Sequence, residues 1–213
     1  DGTTDGTLQL NCSQNTHGVK IKSPAHSASQ SYTLTLPATA PSANKFLKTD
    51  GSGNLSFANA GSNTPAFYSV MHNNQSVSNS TASILQIAVK VYDTDGCYNN
   101  TGSTVTLNGI STPAYAFAPN VSGKYLVGVA TRINSSTDFD IAELDVHKNG
   151  SLYVRYNYRN EYYQGVNIQT MVEFNGTSDY VQFRVYQSSG GSVNYAGESA
   201  NPYTYAYAHR IIE

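Results

Sequence analysis

The sequence predicts an almost entirely β protein. Only 12% of its 213 residues are charged, and Ser, Thr, Asn, Gly and 17 tyrosines replace the missing charge. This composition favours strands and turns over helices. No stretch places apolar residues at the i, i+3, i+4, i+7 spacing of an amphipathic helix.

Charge and hydropathy exclude several classes of function. The net charge is −2 and the 12 basic residues are scattered singly, so the basic clusters that displace counterions from nucleic acid are missing. No apolar run approaches the roughly 18 residues that cross a bilayer, and no signal-peptide pattern opens the sequence. The first residues, DGTTDGTLQL, suggest a C-terminal piece of a longer protein.

The two cysteines, Cys12 and Cys97, fall in different predicted segments. We therefore expect no disulfide between them. Free thiols fit a protein that folds in a reducing cytoplasm.

Residues 1–57 predict short strands separated by turns. Apolar residues alternate in three places before a hairpin around Asp50-Gly51-Ser52-Gly53: at Leu8 and Leu10, at Val19 and Ile21, and at Tyr32, Leu34 and Leu36. Each strand offers too few apolar residues to bury a core alone. The segment is therefore interpreted as a β shaft intertwined with copies of itself, and the alternative is a polar linker without fixed structure.

Residues 58–65, ANAGSNTP, predict a linker, and a head of longer, more apolar strands is predicted over residues 66–213. We predict strands at Ala66–Val70, Leu85–Val91, Val105–Leu107, Tyr115–Phe117, Lys124–Ile133, Phe139–Val146, Leu152–Tyr158, Ile168–Phe174, Tyr180–Tyr186 and Tyr203–Ile211. The turn sequences HKNG and NGTSD predict two hairpins. Many strands with one apolar face each indicate a double-sheet sandwich or jelly roll.

Residues 65–213 resemble the globular heads of the complement C1q and tumour-necrosis-factor-like family. The segment AFAPNVSGKYLVGVATRI resembles the family's Phe-x-x-x-x-x-Gly-x-Tyr pattern, and AFYSV, KVYDTDGCYN, HKNG and MVEFNGTSDYVQFRV follow the family's order. The closing strand YTYAYAHRI departs from the family's usual aromatic pattern. The resemblance implies a C1q/TNF-like jelly-roll sandwich that assembles as a homotrimer.

Residues 8–58 resemble segments of virion fibre proteins of marine bacteriophages, especially cyanophages. The similar residues are GVKIKSPAHSASQSYTLTLP followed by TDGSGNLSF. Together the two resemblances imply a virion fibre assembled in the host cytoplasm, with a trimeric β shaft and a head. The implied partners are two identical subunits, other virion proteins on the N-terminal side, and a host cell-surface glycan or protein.

The family's topology implies that both termini of the head lie at one end. The segments Asn134–Asp138, Arg159–Gly165 and Gln187–Pro202 then lie at the opposite end, where loops of a rigid sandwich commonly bind ligands. Tyrosine offers apolar area and a hydroxyl at low entropic cost. The candidate ligand-binding residues are Asp138, Arg159, Glu161, Tyr162, Tyr163 and Tyr195; the alternative is that these tyrosines pack against a neighbouring subunit or shield loop backbone.

A second aromatic set is predicted to form the contact between subunits. It consists of Tyr153, Tyr203, Tyr205 and Tyr207. Aromatic residues are enriched in such contacts. Ligand binding is the alternative.

Catalytic and metal chemistry find little support. Glu143 and Asp145 share a strand face and could serve a glycosidase, but nothing marks a cleft, and a solvated strand face is the more ordinary explanation. The loop Asp93–Thr104 lacks the glycine and glutamate of an EF-hand, which leaves an Asp-Gly turn, or else an ion at Asp93 or Asp95. The histidines show no ligand spacing, although a trimer could place three copies of His17 or His26 on its axis. We therefore expect no enzyme, cofactor or metal.

The functional expectation is the tip of a phage tail fibre that recognises a host-surface ligand, with a glycan favoured. A low charge and many hydroxyls and amides suit a polar ligand. The alternatives are a structural head fibre, decoration or adaptor protein without receptor binding, a polysaccharide-degrading enzyme, and a non-viral secreted adhesin.

Overall fold

The computed structural model describes residues 5–14, 17–134, 140–159 and 165–211. The chain divides into two compact units, Asp1–Ala60 and Gly61–Glu213, here called the N-terminal unit and the head. In the described residues the chain is all β apart from one 3-10 turn at His26–Ala28. No helix in this part of the chain is long and apolar enough to span a bilayer.

The N-terminal unit contains two antiparallel hairpins. Strand β1 (Thr7–Asn11) pairs with β2 (Gly18–Lys22), and β3 (Lys45–Thr49) pairs with β4 (Leu55–Asn59). The Asp50 carboxylate closes the second turn by accepting hydrogen bonds from the backbone N–H groups of Ser52 and Asn54 at 2.8 and 3.1 Å. The hairpin predicted around Asp50 is confirmed.

The N-terminal unit has apolar surface but buries none of its described residues. Leu8 lies opposite Ile21 and Leu10 opposite Val19 across the first hairpin, yet these four side chains are 58–70% exposed. The predicted strand through Leu34 is wrong, because only one isolated bridge, from Thr35 to Asn54, involves this segment.

The head contains strands β5 to β18. Their bounds are β5 (Ala66–Val70), β6 (Gln75–Val77), β7 (Ser83–Ile84), β8 (Val89–Asp93), β9 (Val105–Leu107), β10 (Ile110–Thr112), β11 (Ala116–Phe117), β12 (Gly123–Asn134), β13 (Ala142–Lys148), β14 (Ser151–Tyr158), β15 (Gly165–Phe174), β16 (Val181–Gln187), β17 (Val193–Tyr195) and β18 (Tyr205–Arg210).

Two sheets face each other in the head. The front sheet runs β6-β17-β12-β18-β5-β8, and β15 pairs with the other edge of β12. The back sheet runs β11-β16-β13-β14, with β7 also paired to β16, while β9 and β10 form a separate hairpin. The prediction of an all-β chain that contains a jelly-roll sandwich is confirmed.

The core lies between the two sheets because the strands of each alternate apolar and polar residues. Aromatic rings from both layers meet at its centre: Phe67 stacks on Tyr98 and Phe117 with centroids 4.3 and 4.8 Å apart, and Tyr125 meets Phe174 edge-on at 5.1 Å. All five side chains are at most 1% exposed. The inward residues of β12, Tyr125, Val127 and Val129, are therefore scaffold.

The head begins and ends at the same end of the sandwich, here called the base. His209 of β18 lies opposite Ala66 of β5, and the Arg210 N–H donates to the Asn63 carbonyl at 3.0 Å. Strands β12, β14 and β16 end at the opposite end, here called the far end. The predicted placement of the head's termini is confirmed.

Two predicted elements differ from the structure. The sequence NGTSD does not close a hairpin, because β15 pairs with β12 in the front sheet while β16 pairs with β13 in the back sheet. This segment therefore crosses between the sheets at the base. The predicted strand Leu85–Val91 is interrupted between β7 and β8, although Leu85 and Ile87 are buried as their apolar character requires.

Candidate functional site

Two of the six predicted ligand-binding residues, Arg159 and Tyr195, lie in the part of the chain that the structure describes. Asp138, Glu161, Tyr162 and Tyr163 lie outside the described residues. Arg159 is described and exposed, directly after β14.

Tyr195 is a core residue, so its assignment to a binding surface is wrong. Alternation along β17 points it inward with Val193, and it is 0% exposed. Its hydroxyl donates to the Tyr186 carbonyl at 3.2 Å. Burial, followed by the influence of neighbouring Tyr158, raises the pKa of Tyr195 and keeps the hydroxyl neutral.

Arg132 and Tyr203 line a cleft at the far end of the head. The sequence patterns do not predict that these two residues lie together. The guanidinium carbon of Arg132 lies 3.5 Å from the centroid of the Tyr203 ring, a cation–π contact. The cleft measures about 260 Å³, and Asn167 and Tyr205 also line it. The Arg132 Nε is buried and has no hydrogen-bond partner among the described residues. The cleft thus combines an aromatic ring, an amide and a guanidinium donor.

An aromatic face covers the outward side of the front sheet, and we define it by Tyr68, Tyr92, Tyr205 and Tyr207. Tyr68 lies opposite Tyr207 on β18 and opposite Tyr92 on β8. The Tyr68 ring centroid is 5.9 Å from that of Tyr205 and 6.2 Å from that of Tyr92. Burial, together with the neighbouring tyrosines, raises the pKa of Tyr68, so its hydroxyl stays uncharged.

Gly128 allows Tyr207 to lie across β12. A Cβ at Gly128 would stand 2.3 Å from the Tyr207 ring, which is closer than any real contact. The Tyr207 hydroxyl reaches β15, where the amide of Gln169 donates a hydrogen bond to it. The ring therefore packs directly over Gly128 and is tied to β15 by this hydrogen bond.

Two of the four residues predicted for the subunit contact, Tyr205 and Tyr207, belong to the aromatic face. Tyr153 on β14 is 46% exposed, and its hydroxyl donates to the Met171 carbonyl of β15 at 3.0 Å. Met171 itself is 45% exposed. Tyr205 and Tyr207 share the aromatic face, while Tyr203 precedes β18 in the Arg132 cleft.

The paired carboxylates Glu143 and Asp145 lie on the outward side of the back sheet and share one cation. Arg155 donates from Nε and Nη2 to the two Asp145 oxygens, both at 2.8 Å, and its Nη2 is 3.0 Å from Glu143. The hydrogen bond to Asp145 raises the pKa of Arg155. The arrangement is an ion-pair network on a strand face.

The Asp93 carboxylate closes a turn, and hydrogen bonds within that turn engage its oxygens. It accepts hydrogen bonds from the backbone N–H groups of Cys97 and Tyr98 at 2.9 and 3.1 Å, and Lys90 lies 3.2 Å away. Within the described ranges, no group of three or more His, Cys, Asp or Glu residues could hold a metal ion. Cys12 is exposed and Cys97 is buried, and no disulfide joins them.

Comparison with known proteins finds likeness in structure. No protein-family model matches the chain, and no curated protein matches it. Similar solved structures include the PRD1 vertex protein P5, at 16% identity and a TM-score of 0.47 over 71% of this chain and 100% of that chain. Murine APRIL is similar at 11% identity and a TM-score of 0.48, over 68% of this chain and 98% of that one.

The globular domain of the zebrafish complement 1qA protein is also similar, at 12% identity and a TM-score of 0.45, over 70% of this chain and 98% of that one. At 16% identity or less, these likenesses concern the fold alone.

Proposed function

We propose that the chain is the tip of a homotrimeric phage tail fibre whose head recognises a host-surface glycan. The observation that carries this proposal is the aromatic face of the front sheet. A contiguous apolar surface of this kind on a single chain marks a contact with another protein. Tyr92 is 48% exposed and Met171, beside the face, is 45% exposed.

The N-terminal unit supports self-association independently. It exposes leucine, isoleucine and valine side chains on β1 and β2 and buries none of its described residues. A segment of this size without a core needs partner chains to fold stably. The sequence resemblance to trimeric heads and to phage fibres supports three chains and a virion setting.

The far-end cleft supports ligand recognition. The ring of Tyr203 offers an apolar surface, while Arg132 and Asn167 offer donors to the hydroxyls of a sugar. One such cleft binds weakly, but three copies on a head and several fibres on a particle multiply the affinity. A glycan on a cell surface presents the repeated ligand that this arrangement requires.

Competition for adsorption tests the proposal. The purified chain should scatter light as about three times the 22.9 kDa of one chain, and it should block phage adsorption to host cells. The variant Tyr203→Ala should block adsorption at least about tenfold less well, while a matched variant on the separate β9–β10 hairpin, Ser111→Ala, should act like the wild type. A trimer that never competes at saturating concentration would favour the alternative, a structural head fibre or decoration protein.

A further inference from the structure

We propose that the head carries a second binding site, for a sugar bearing a carboxylate, in the cleft around Arg184. The cleft measures about 530 Å³ and lies between β6, β7 and the segment before β11. This volume is in the range of small-molecule sites. The inference is independent of the function proposed above, because it concerns a different cleft with different lining residues.

Arg184 is a cation without a counter-ion in the part of the chain that the structure describes. It lies on the outward side of β16, opposite Asp145 of β13 and Ile84 of β7. Asp145 is already engaged by both donors of Arg155. The Arg184 Nε is buried without a hydrogen-bond partner. The Arg184 side chain lines the cleft, where a guanidinium can pair with an anionic ligand.

Tyr115 supplies an aromatic wall in a strained conformation. Its backbone adopts φ 52°, in the left-handed region that bulky residues avoid, and its N–H donates to the Thr101 carbonyl at 3.2 Å. The side chain lines the cleft beside Gly102. Strain of this kind collects at ligand sites, and an aromatic ring offers a sugar an apolar surface for stacking.

Hydrogen bonds hold the walls of the cleft in place. The Gln75 amide donates to the Ile84 carbonyl at 2.8 Å, and its oxygen accepts from the Gln86 N–H at 2.9 Å. The Gln182 amide donates to the Ala114 carbonyl at 2.7 Å. The cleft is therefore fixed before a ligand arrives, which favours affinity.

The lining selects the chemical class of the ligand. Among the described residues, Arg184 is the one charged residue that lines the cleft, and the other lining residues include Ser76, Ser83, Gln86 and Tyr115. A guanidinium pairs with a carboxylate through two parallel hydrogen bonds. Its single charge balances one carboxylate, whereas a phosphate monoester carries close to two negative charges. The hydroxyl and amide groups suit the remaining hydroxyls of a sugar ring.

Titration of the full chain with two methyl glycosides tests the site. Methyl glucuronide and methyl glucoside differ only at C6, which carries a carboxylate in the first and a hydroxymethyl group in the second. Isothermal calorimetry and saturation-transfer NMR would measure the binding of both. We expect saturable binding of the glucuronide and at least about tenfold weaker binding of the glucoside, since hydrogen bonds to charged groups contribute that much. Arg184→Gln should lower the affinity for the glucuronide to that for the glucoside.

Two further variants keep the result interpretable. Arg210→Gln, at the base of the head and outside both clefts, should retain full glucuronide binding, and Arg184→Lys, which keeps the charge but loses the planar fork, should bind with intermediate affinity. Equal affinity for both glycosides, unchanged affinity in a folded Arg184→Gln, or no saturable binding would each overturn the proposal. Because isolated glycosides are used, failure of the adsorption experiment would leave this result unaffected.

Discussion

The Asp179 carboxylate secures the connection that crosses between the two sheets at the base. It accepts hydrogen bonds from the Asn149 amide at 2.7 Å and the Asn175 N–H at 3.0 Å, and the Lys148 ammonium lies 3.1 Å away. Burial acts to raise the pKa of Asp179, but the hydrogen bonds from Asn149 and Lys148 outweigh it, and the pKa lies below its ordinary value. The folded state therefore favours the charged form.

Asp179→Asn should destabilise the head in a pH-dependent way. The folded pKa lies below the ordinary value of 3.8, so the stabilisation is fully present above that value and is lost as the pH falls through the folded pKa. At about pH 7 we expect a loss of roughly 1.5–3 kcal/mol in the free energy of unfolding. Urea unfolding of both proteins across a pH series measures the difference.

The control for this prediction is Thr177→Ala, which changes an exposed, non-titrating residue of the same connection. Its difference from the wild type should be small and independent of pH. A difference for Asp179→Asn that persists unchanged at the acid end of the series would contradict the role of the charge.

Single residues show which parts of the site could be predicted. Asn149 and Gly150 adopt φ values of 52° and 80°, as the tight-turn preference of this pair requires. The prediction for Tyr195 is wrong because a two-residue alternation with Val193 is too short a pattern to separate a buried strand from a loop. Arg184 gave one signal, an isolated charge among the alternating residues of VQFRVYQ, but sequence does not show that its strand neighbour Asp145 is taken by Arg155.

At the scale of elements, β12 and β18 pair directly beneath the aromatic face. Tyr207 lies over Gly128, and a methyl group there would meet atoms at the far end of the tyrosine ring. The ring would have to swing outward and lose its hydrogen bond from Gln169. A protruding ring would disturb any subunit packed on this face.

Gly128→Ala should therefore weaken assembly more than folding. We expect the free energy of association to become less favourable by about 1–3 kcal/mol, the usual range for overpacking a close contact. The mass measured by light scattering should then shift from three chains towards one. Dilution series by sedimentation or light scattering would measure the change in the dissociation constant, which should rise by about tenfold or more.

Gly191→Ala is the matched control for this substitution. A Cβ at Gly191 would meet nothing within 4 Å, and the backbone there needs no left-handed conformation. Its dissociation constant should equal that of the wild type. Unchanged assembly in both variants would show that the aromatic face is not the subunit contact.

The sequence does not predict which strands pair with β15 and β16. The turn chemistry of NGTSD was recognised, and the Asn175 side-chain oxygen does accept hydrogen bonds from the N–H groups of Thr177, Ser178 and Asp179. Such local bonds close a compact loop but do not specify which strand pairs next. Sheet membership of β15 and β16 depends on partners far along the chain, β12 and β13, which local patterns do not encode.

At the scale of the whole molecule, the two units differ in how they can be stable. The head encloses a core between its two sheets, with side chains such as Phe67 and Leu144 at 0% exposure. The N-terminal unit has nothing comparable among its described residues, since even Phe46 is 46% exposed. Covering a large apolar side chain contributes about 1.5–3 kcal/mol. On the proposed function the first unit obtains this from other chains, while the head can obtain most of it alone.

Thermal unfolding of the full chain should therefore show two transitions with different concentration dependence. The transition of the N-terminal unit should move to higher temperature as the protein concentration rises, because association stabilises by mass action. Leu10→Ser should lower that transition by several degrees, whereas Val91→Ser, an exposed apolar residue of similar exposure in the head at 57% against 58%, should leave it in place. Circular dichroism at concentrations spanning about a hundredfold would measure both. A transition of the N-terminal unit that stays fixed across this range would mean that the unit is stable as a single chain, and the exposed leucines would then need a different explanation from an intertwined shaft.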